Sequence, residues 1–240
     1  QLVAVKPKAE SIQSISRICR YLGERYENEK EADPTIEELS TIRWLPAKGK
    51  PDHWRLPGEL FTVFQEYLFA SQAHFLDVPL QIQQSASKFF ILIGVKSTPT
   101  PDLVAKHLLH CSEKGTDVNP EVYSYLMDRA NEQVINRLKG SSCLNLRGGR
   151  YVSPDKVFWS AHPFGRFRHP LSPEMRKYND LLAKLGVREA PETKDAMTVL
   201  QEICEEYGSA NKVLDDHAKI VCFACWKMIT EGLTKEAVSP

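Results

Sequence analysis

The sequence lacks net charge, long apolar runs and any recognisable catalytic signature. Its 31 basic residues balance 31 acidic ones, so no overall field attracts nucleic acid or a membrane surface. The longest apolar stretch surrounds residues 89–93 and is far too short to span a bilayer. No H-E-x-x-H motif or nucleophile elbow occurs, and no two histidines have the paired spacing typical of metal ligands. We therefore predict that the chain is not an enzyme, holds no metal or cofactor and does not enter a membrane.

Cysteine is also scarce. Six scattered cysteines are too few for a disulfide framework, which favours reduced thiols inside a cell. No charged-then-apolar leader is present, and the chain starts at Gln1. We expect an intracellular, cytoplasmic segment of a longer protein. The composition, 42% hydrophobic and 26% charged, is that of a globular chain long enough to bury a core.

A series of five landmarks occurs twice along the chain. Each copy has an apolar segment ending at a glycine turn, a proline with an apolar-Phe tail, a Pro-Leu pair, a Gly-Val pair and an Asp-led segment. Chance would hardly keep five matches in order, so we infer a repeat of about 90 to 100 residues. The landmarks are residues 42–49, 57–61, 79–80, 94–95 and 102–104 in the first copy, and 142–149, 154–158, 170–171, 186–187 and 195–197 in the second.

The repeat predicts the domain organisation and the fold class. Residues 1–40 are the closing helices of a preceding unit, residues 41–139 a first repeat unit and residues 140–240 a second. Short apolar segments beside glycine turns predict hairpins, and apolar steps of three and four predict helices. The predicted class is α+β, with helix-rich tandem repeat units that each consist of a small β-hairpin followed by several helices.

Three local expectations concern the helices. Apolar residues that step by four predict one continuous helix over residues 122–138. Ser172 is expected to cap a helix that starts at Pro173 and stops at Gly186, a residue that tolerates positive φ. By analogy we predict helix for residues 89–93 as well, although a buried strand fits their pattern equally.

Several segments of the chain resemble the repeat region of sacsin and its relatives, which are very large intracellular proteins. In that family, histidine-kinase-like (GHKL) ATPase modules are followed by long repeat segments. The similarity is carried by residues 44–47, 57–61, 182–187 and 191–200. It implies a chaperone-like scaffold that acts through contacts with protein partners or neighbouring repeats. No Asp-x-Gly-x-Gly box or glycine-rich lid is present, so an accompanying ATPase would lie outside these residues.

Basic and aromatic residues alternate over residues 147–177, and this stretch is the candidate binding site. Such a pattern suits a nucleic-acid surface, where cations meet phosphates and rings stack on bases. It equally suits a protein interface, or a buried aromatic cluster whose arginines extend to solvent. The alternative function is therefore a nucleic-acid-binding module. The candidate residues are Arg147, Arg150, Arg166, Arg168 and Trp159.

Two cysteine-containing motifs suggest other chemistry. Cys222 and Cys225 form a C-x-x-C motif, which is typical of redox dithiols at a helix N-terminus or, with two further ligands, of zinc sites. Here the motif falls deep inside a predicted helix, which favours two buried structural thiols. His107, His110 and Cys111 have a spacing that a metal could use, but a core-edge histidine beside a solvated one explains them more simply.

Overall fold

The computed structural model describes residues 9–27, 34–146, 148–208 and 213–238. The fold divides into two compact units, Gln1–His110 and Cys111–Pro240. Each unit combines several helices with two small two-stranded sheets, which confirms the α+β, helix-rich class.

The first unit builds a hairpin and a short parallel sheet against helices. The strands Leu45–Ala47 and Lys50–Arg55 are antiparallel, the strands Leu60–Phe61 and His74–Phe75 are parallel, and the helix Ala9–Tyr26 packs against the two helices within residues 80–92. The elements, in chain order, are α1 (Ala9–Tyr26), α2 (Pro34–Thr41), β1 (Leu45–Ala47), β2 (Lys50–Arg55), a 3-10 helix (Pro57–Glu59), β3 (Leu60–Phe61), a 3-10 helix (Val63–Leu68), β4 (His74–Phe75), α3 (Leu80–Ser85), α4 (Ser87–Leu92) and α5 (Pro101–Lys114), within which the division between the units falls.

The second unit follows a similar order. Strands β5 and β6 are antiparallel, β7 and β8 are parallel, and α6 packs against α8 and the 3-10 helix before it. The elements are α6 (Glu121–Arg129), α7 (Glu132–Lys139), β5 (Leu144–Asn145), β6 (Tyr151–Val152), a 3-10 helix (Pro154–Lys156), β7 (Val157–Phe158), a 3-10 helix (Gly165–Phe167), β8 (His169–Pro170), a 3-10 helix (Pro173–Tyr178), α8 (Asn179–Leu185), α9 (Thr193–Gly208) and α10 (Asp216–Val238).

The parallel sheets of the two units are extended by the same pattern of backbone hydrogen bonds. A leucine N–H donates to the phenylalanine carbonyl of the first strand, and the residue after that phenylalanine donates to the carbonyl of a basic residue that follows the helix. The donor and acceptor atoms are Leu76 N to Phe61 O (2.8 Å) and Thr62 N to Lys96 O (2.9 Å) in the first unit, and Leu171 N to Phe158 O (2.7 Å) and Trp159 N to Arg188 O (3.0 Å) in the second.

A glycine with positive φ ends the helix before this basic residue. Gly94 has φ of 95° and Gly186 has φ of 86°, a region that other residues rarely adopt. The next residue then donates back into the helix, from Val187 N to Leu182 O at 3.0 Å in the second unit. The expected stop at Gly186 is confirmed, and residues 89–92 are helical within α4 as predicted.

Other local expectations are corrected. The single helix over residues 122–138 is wrong, because the backbone extends at Ala130 and the Asn131 side chain caps a new helix by accepting from Val134 N at 3.0 Å. Ser172 precedes a 3-10 helix, and its side chain makes no capping hydrogen bond.

The two Pro-Leu pairs are also not equivalent in the fold. Pro79-Leu80 stands at the start of α3, whereas Pro170 closes β8 and Leu171 makes the hydrogen bond that Leu76 makes in the first unit. The limits predicted at residues 40 and 139 are those of a repeat in the sequence, which need not coincide with compact units of the fold. These limits stay a prediction. The compact units divide at residue 110, because α1 and α6 each pack against the helices that follow the next hairpin.

Candidate interaction surface

The aromatic residues of the candidate stretch mostly build a core. Phe158, Phe164 and Phe167 are buried, and the His162 ring lies 5.4 Å from that of Phe158 and 5.7 Å from that of Phe164. Trp159 is half-buried, and its backbone carbonyl accepts from Arg176 at 3.3 Å. Three of these rings are therefore withdrawn from any stacking on bases.

Arg166 is held at the surface by acidic and phenolic partners. Its guanidinium donates to Glu206 (2.8 Å), to Asp215 (3.2 Å) and to the Tyr207 hydroxyl (2.8 Å). The Tyr207 hydroxyl also donates to Asp215, and this bond together with the nearby cation lowers the pKa of Asp215 to about 2. The charge of Arg166 is thus neutralised within the fold.

Arg168 is a buried cation. Its side chain is only 3% exposed, and Nη1 donates to Glu202 at 2.9 Å and to the Phe167 carbonyl at 2.6 Å. Lys156 reaches the same Glu202 carboxylate at 3.2 Å. Burial of a charge is tolerated only with such partners, so this pair is structural.

The remaining candidate residues differ in placement. Arg150 is exposed, its backbone carbonyl accepts a hydrogen bond from Leu146 N at 2.8 Å, and its side chain forms no hydrogen bond or ion pair with any residue in the described ranges. Arg147 lies outside the described residues. The structure thus brings Arg166 and Arg168 together with acidic residues of α9 and does not assemble the four described candidates into one free basic surface.

A cavity of about 410 Å³ opens beside these ion pairs. Its lining mixes charges of both signs and includes Lys156, Arg166, His169, Glu202 and Glu206. Burial and the neighbouring Arg150 lower the pKa of His169, so its neutral form is favoured. The cavity can accept polar groups.

Of the two thiols in the C-x-x-C motif, which were expected to be buried, Cys225 is buried and Cys222 is half-buried. Cys222 and Cys225 lie inside α10, and burial raises the pKa of Cys225 to about 11, which disfavours a reactive thiolate. In the first unit, His107 is nearly buried, and its Nδ1 lies 2.8 Å from the Ser71 hydroxyl. Among the residues that the structure describes, no group of three or more histidine, cysteine or acidic side chains could hold a metal ion.

One surface was missed by the sequence analysis. Ile220, Phe223 and Trp226 of α10 are 67%, 74% and 60% exposed, whereas Val221 and Cys225 of the same helix are buried. We define the three exposed residues as the α10 apolar face. The signal that could have revealed it is a helix with large apolar residues all round its circumference, which normally means burial on more than one side.

None of the helices in the described ranges is both long and apolar enough to cross a membrane. Comparison with protein-family models, with curated proteins and with solved structures finds no match to this chain.

Proposed function

We propose that this chain is a non-enzymatic scaffold segment, built from tandem repeat units and acting through protein contacts. In this proposal it belongs to a large intracellular, sacsin-like protein of the cytoplasm. Its partners are other proteins or neighbouring units of the same kind.

The observation that carries the proposal is the recurrence of one closing arrangement in both units. Lys96 N donates to Leu60 O at 3.0 Å, and its ammonium lies 5.5 Å from the centre of the Phe61 ring. In the second unit, Arg188 holds the corresponding place, with its guanidinium 5.1 Å from the Phe158 ring. A shared backbone pattern together with a shared cation–π contact supports two copies of one structural unit.

Contacts with proteins suit the described surface better than contacts with nucleic acid. Arg166 and Arg168 already have carboxylate partners, and aromatic rings of the stretch are buried. By contrast, the α10 apolar face exposes two aromatic side chains, the residue type that protein interfaces favour.

The experiment is affinity capture of proteins from a nuclease-treated cell extract on the immobilised full chain. The same chain after heat unfolding serves as the control for non-specific adhesion. We expect a saturable set of proteins on the folded chain alone. Retention that is equal on the unfolded chain, or that occurs only in a parallel extract without nuclease treatment, would contradict the scaffold proposal.

A further inference from the structure

The α10 apolar face lies away from the helix on which α10 already packs. Val221 and Cys225 are buried in a cluster with Val199 and Ile203 of α9. At 100° per residue, Phe223 is about 160° to 200° round the helix from these two residues. Burial against α9 therefore leaves Phe223 with Ile220 and Trp226 open to solvent.

The first unit shows how a helix that precedes a hairpin is covered. Helix α1 packs against α3 and α4, and its Tyr26 ring stacks on Phe89 with centroids 6.0 Å apart. Gly23 approaches Ala86 so closely that a Cβ at this position would overlap the alanine side chain. The face of α1 used here is thus fitted to the helical segment that follows the hairpin.

In the second unit a ring contact at other positions joins the corresponding elements. The Tyr123 ring of α6 lies 5.5 Å from that of Tyr178, and the Tyr178 hydroxyl donates to the Pro120 carbonyl at 2.9 Å. Helix α6 thus packs on the segment between its hairpin and the closing glycine, as α1 does.

A sequence correspondence indicates that helices of this kind have two apolar sides. Residues 21–25 of α1 resemble residues 125–129 of α6, which pairs Ile18 with Val122 and Tyr21 with Tyr125. Ile18 and Tyr21 are exposed, whereas both counterparts in α6 are buried. The side of α1 that carries Ile18 and Tyr21 is thus exposed to solvent, whereas the corresponding side of α6 is buried.

We propose that the α10 apolar face is the docking site for a further unit of the same kind. Its occupant is the helical segment that follows a hairpin, equivalent to α3–α4 or to residues 173–185. Helix α10 follows the long helix α9 as α6 follows α5, so it stands third in the series of helices that cover such segments. This inference rests on the proposed tandem architecture and names the partner of one surface.

The test extends the full chain with the unit that it should accept. A second copy of residues 130–238, which lacks its own α6 and carries Trp226→Phe, is joined after residue 238, so that α10 of the copy still covers its α9. Trp226 reports docking, and its emission is isolated by subtracting the spectrum of the same protein carrying Trp226→Phe. We expect the Trp226 emission to shift to shorter wavelength and to lose most of its quenching by acrylamide.

Matched variants separate docking from general effects. Phe223→Glu places a charge in the face and should restore quenching of Trp226 in the extended protein. Met197→Glu changes a residue of α9 that is 60% exposed and outside the face, and should leave Trp226 protected.

Three results would overturn the inference. The first is a folded extension that leaves Trp226 quenched, and the second is an extension that stays unfolded. The third is burial of Trp226 in the unextended chain as its concentration rises, lost in Phe223→Glu, which would make a second copy of the chain the occupant. Extract capture on the full chain carrying Phe223→Glu tests the scaffold proposal with the α10 apolar face disrupted. Proteins retained by this variant would support the scaffold proposal even if docking of a further unit on α10 fails.

Discussion

Arg168 shows how a residue chosen for binding serves the fold instead. Its buried guanidinium is matched by the partly exposed carboxylate of Glu202, which also accepts from Lys156. Removing an acid of this kind leaves a buried cation uncompensated, a defect that is far more costly than loss of a surface pair.

We therefore expect Glu202→Ala to lower the free energy of unfolding by about 2 to 4 kcal/mol, somewhat less than for a fully buried pair because Glu202 keeps some solvent. Urea denaturation followed by circular dichroism measures the change. The control is Lys194→Ala, which breaks an exposed pair with Glu192 and should leave the midpoint unchanged. Equal effects of both substitutions would show that the Arg168 pair is not structural.

Histidine titration gives a second prediction at the level of single residues. Burial lowers the pKa of His107, His162 and His169, so the unfolded chain takes up these protons at higher pH than the folded chain. Stability contributed by the neutral histidines is complete above the unfolded pKa near 6.5 and is lost as the pH falls below it.

His162→Phe should make this pH dependence shallower, because phenylalanine keeps ring contacts with Phe158 and Phe164 but cannot be protonated. One histidine contributes at most about 1.4 kcal/mol per pH unit to the slope. Urea midpoints measured from pH 8 to pH 5 provide the test, with pH 8 as the reference for packing effects. An unchanged slope in the variant would exclude His162 as a contributor.

At the level of elements, local signals with a clear physical cause were readable from the sequence. Gly186 stops its helix because it adopts a positive φ itself, and the apolar steps of α1 and α10 mark true helices. The break at Ala130 was not readable from periodicity, since apolar steps of four continue across it. Strands of two residues, such as β3 and β4, are too short to show alternation.

The paired glycines yield a prediction for the closing element. Gly94→Ala and Gly186→Ala each force an L-residue into a left-handed conformation, so each should destabilise the protein by about 1 to 2 kcal/mol. Gly140→Ala is the matched control, because Gly140 ends α7 at φ of −87° with no atom near the added methyl group. Thermal or urea unfolding measures the change in stability. A loss of stability in only one of the two variants would argue against equivalent positions of Gly94 and Gly186.

At the scale of the whole molecule, composition was enough to find the basic and aromatic stretch over residues 147–177. It could not predict that acidic residues elsewhere in the chain pair with arginines of this stretch. Residues 147–177 are basic only when considered alone, because Glu202, Glu206 and Asp215 lie between 34 and 49 residues away from the arginines they contact. Such long-range pairing follows from the tertiary fold and leaves no mark in the local sequence. The equal numbers of acidic and basic residues in the whole chain are consistent with such pairing.

The same balance leads to the last prediction, which concerns nucleic acid. Binding to phosphates releases counterions, so its affinity falls steeply with salt in proportion to the number of cations engaged. With Arg166 and Arg168 paired internally, we expect no tight, salt-sensitive binding of labelled single- or double-stranded oligonucleotides in fluorescence polarisation at low salt. The variant Arg147→Ala/Arg150→Ala/Arg166→Ala keeps the buried Arg168, and Lys88→Ala/Lys184→Ala/Lys219→Ala removes equal charge elsewhere. Tight binding that the arginine variant alone abolishes would establish a nucleic-acid module, since only free cations at this surface could produce it.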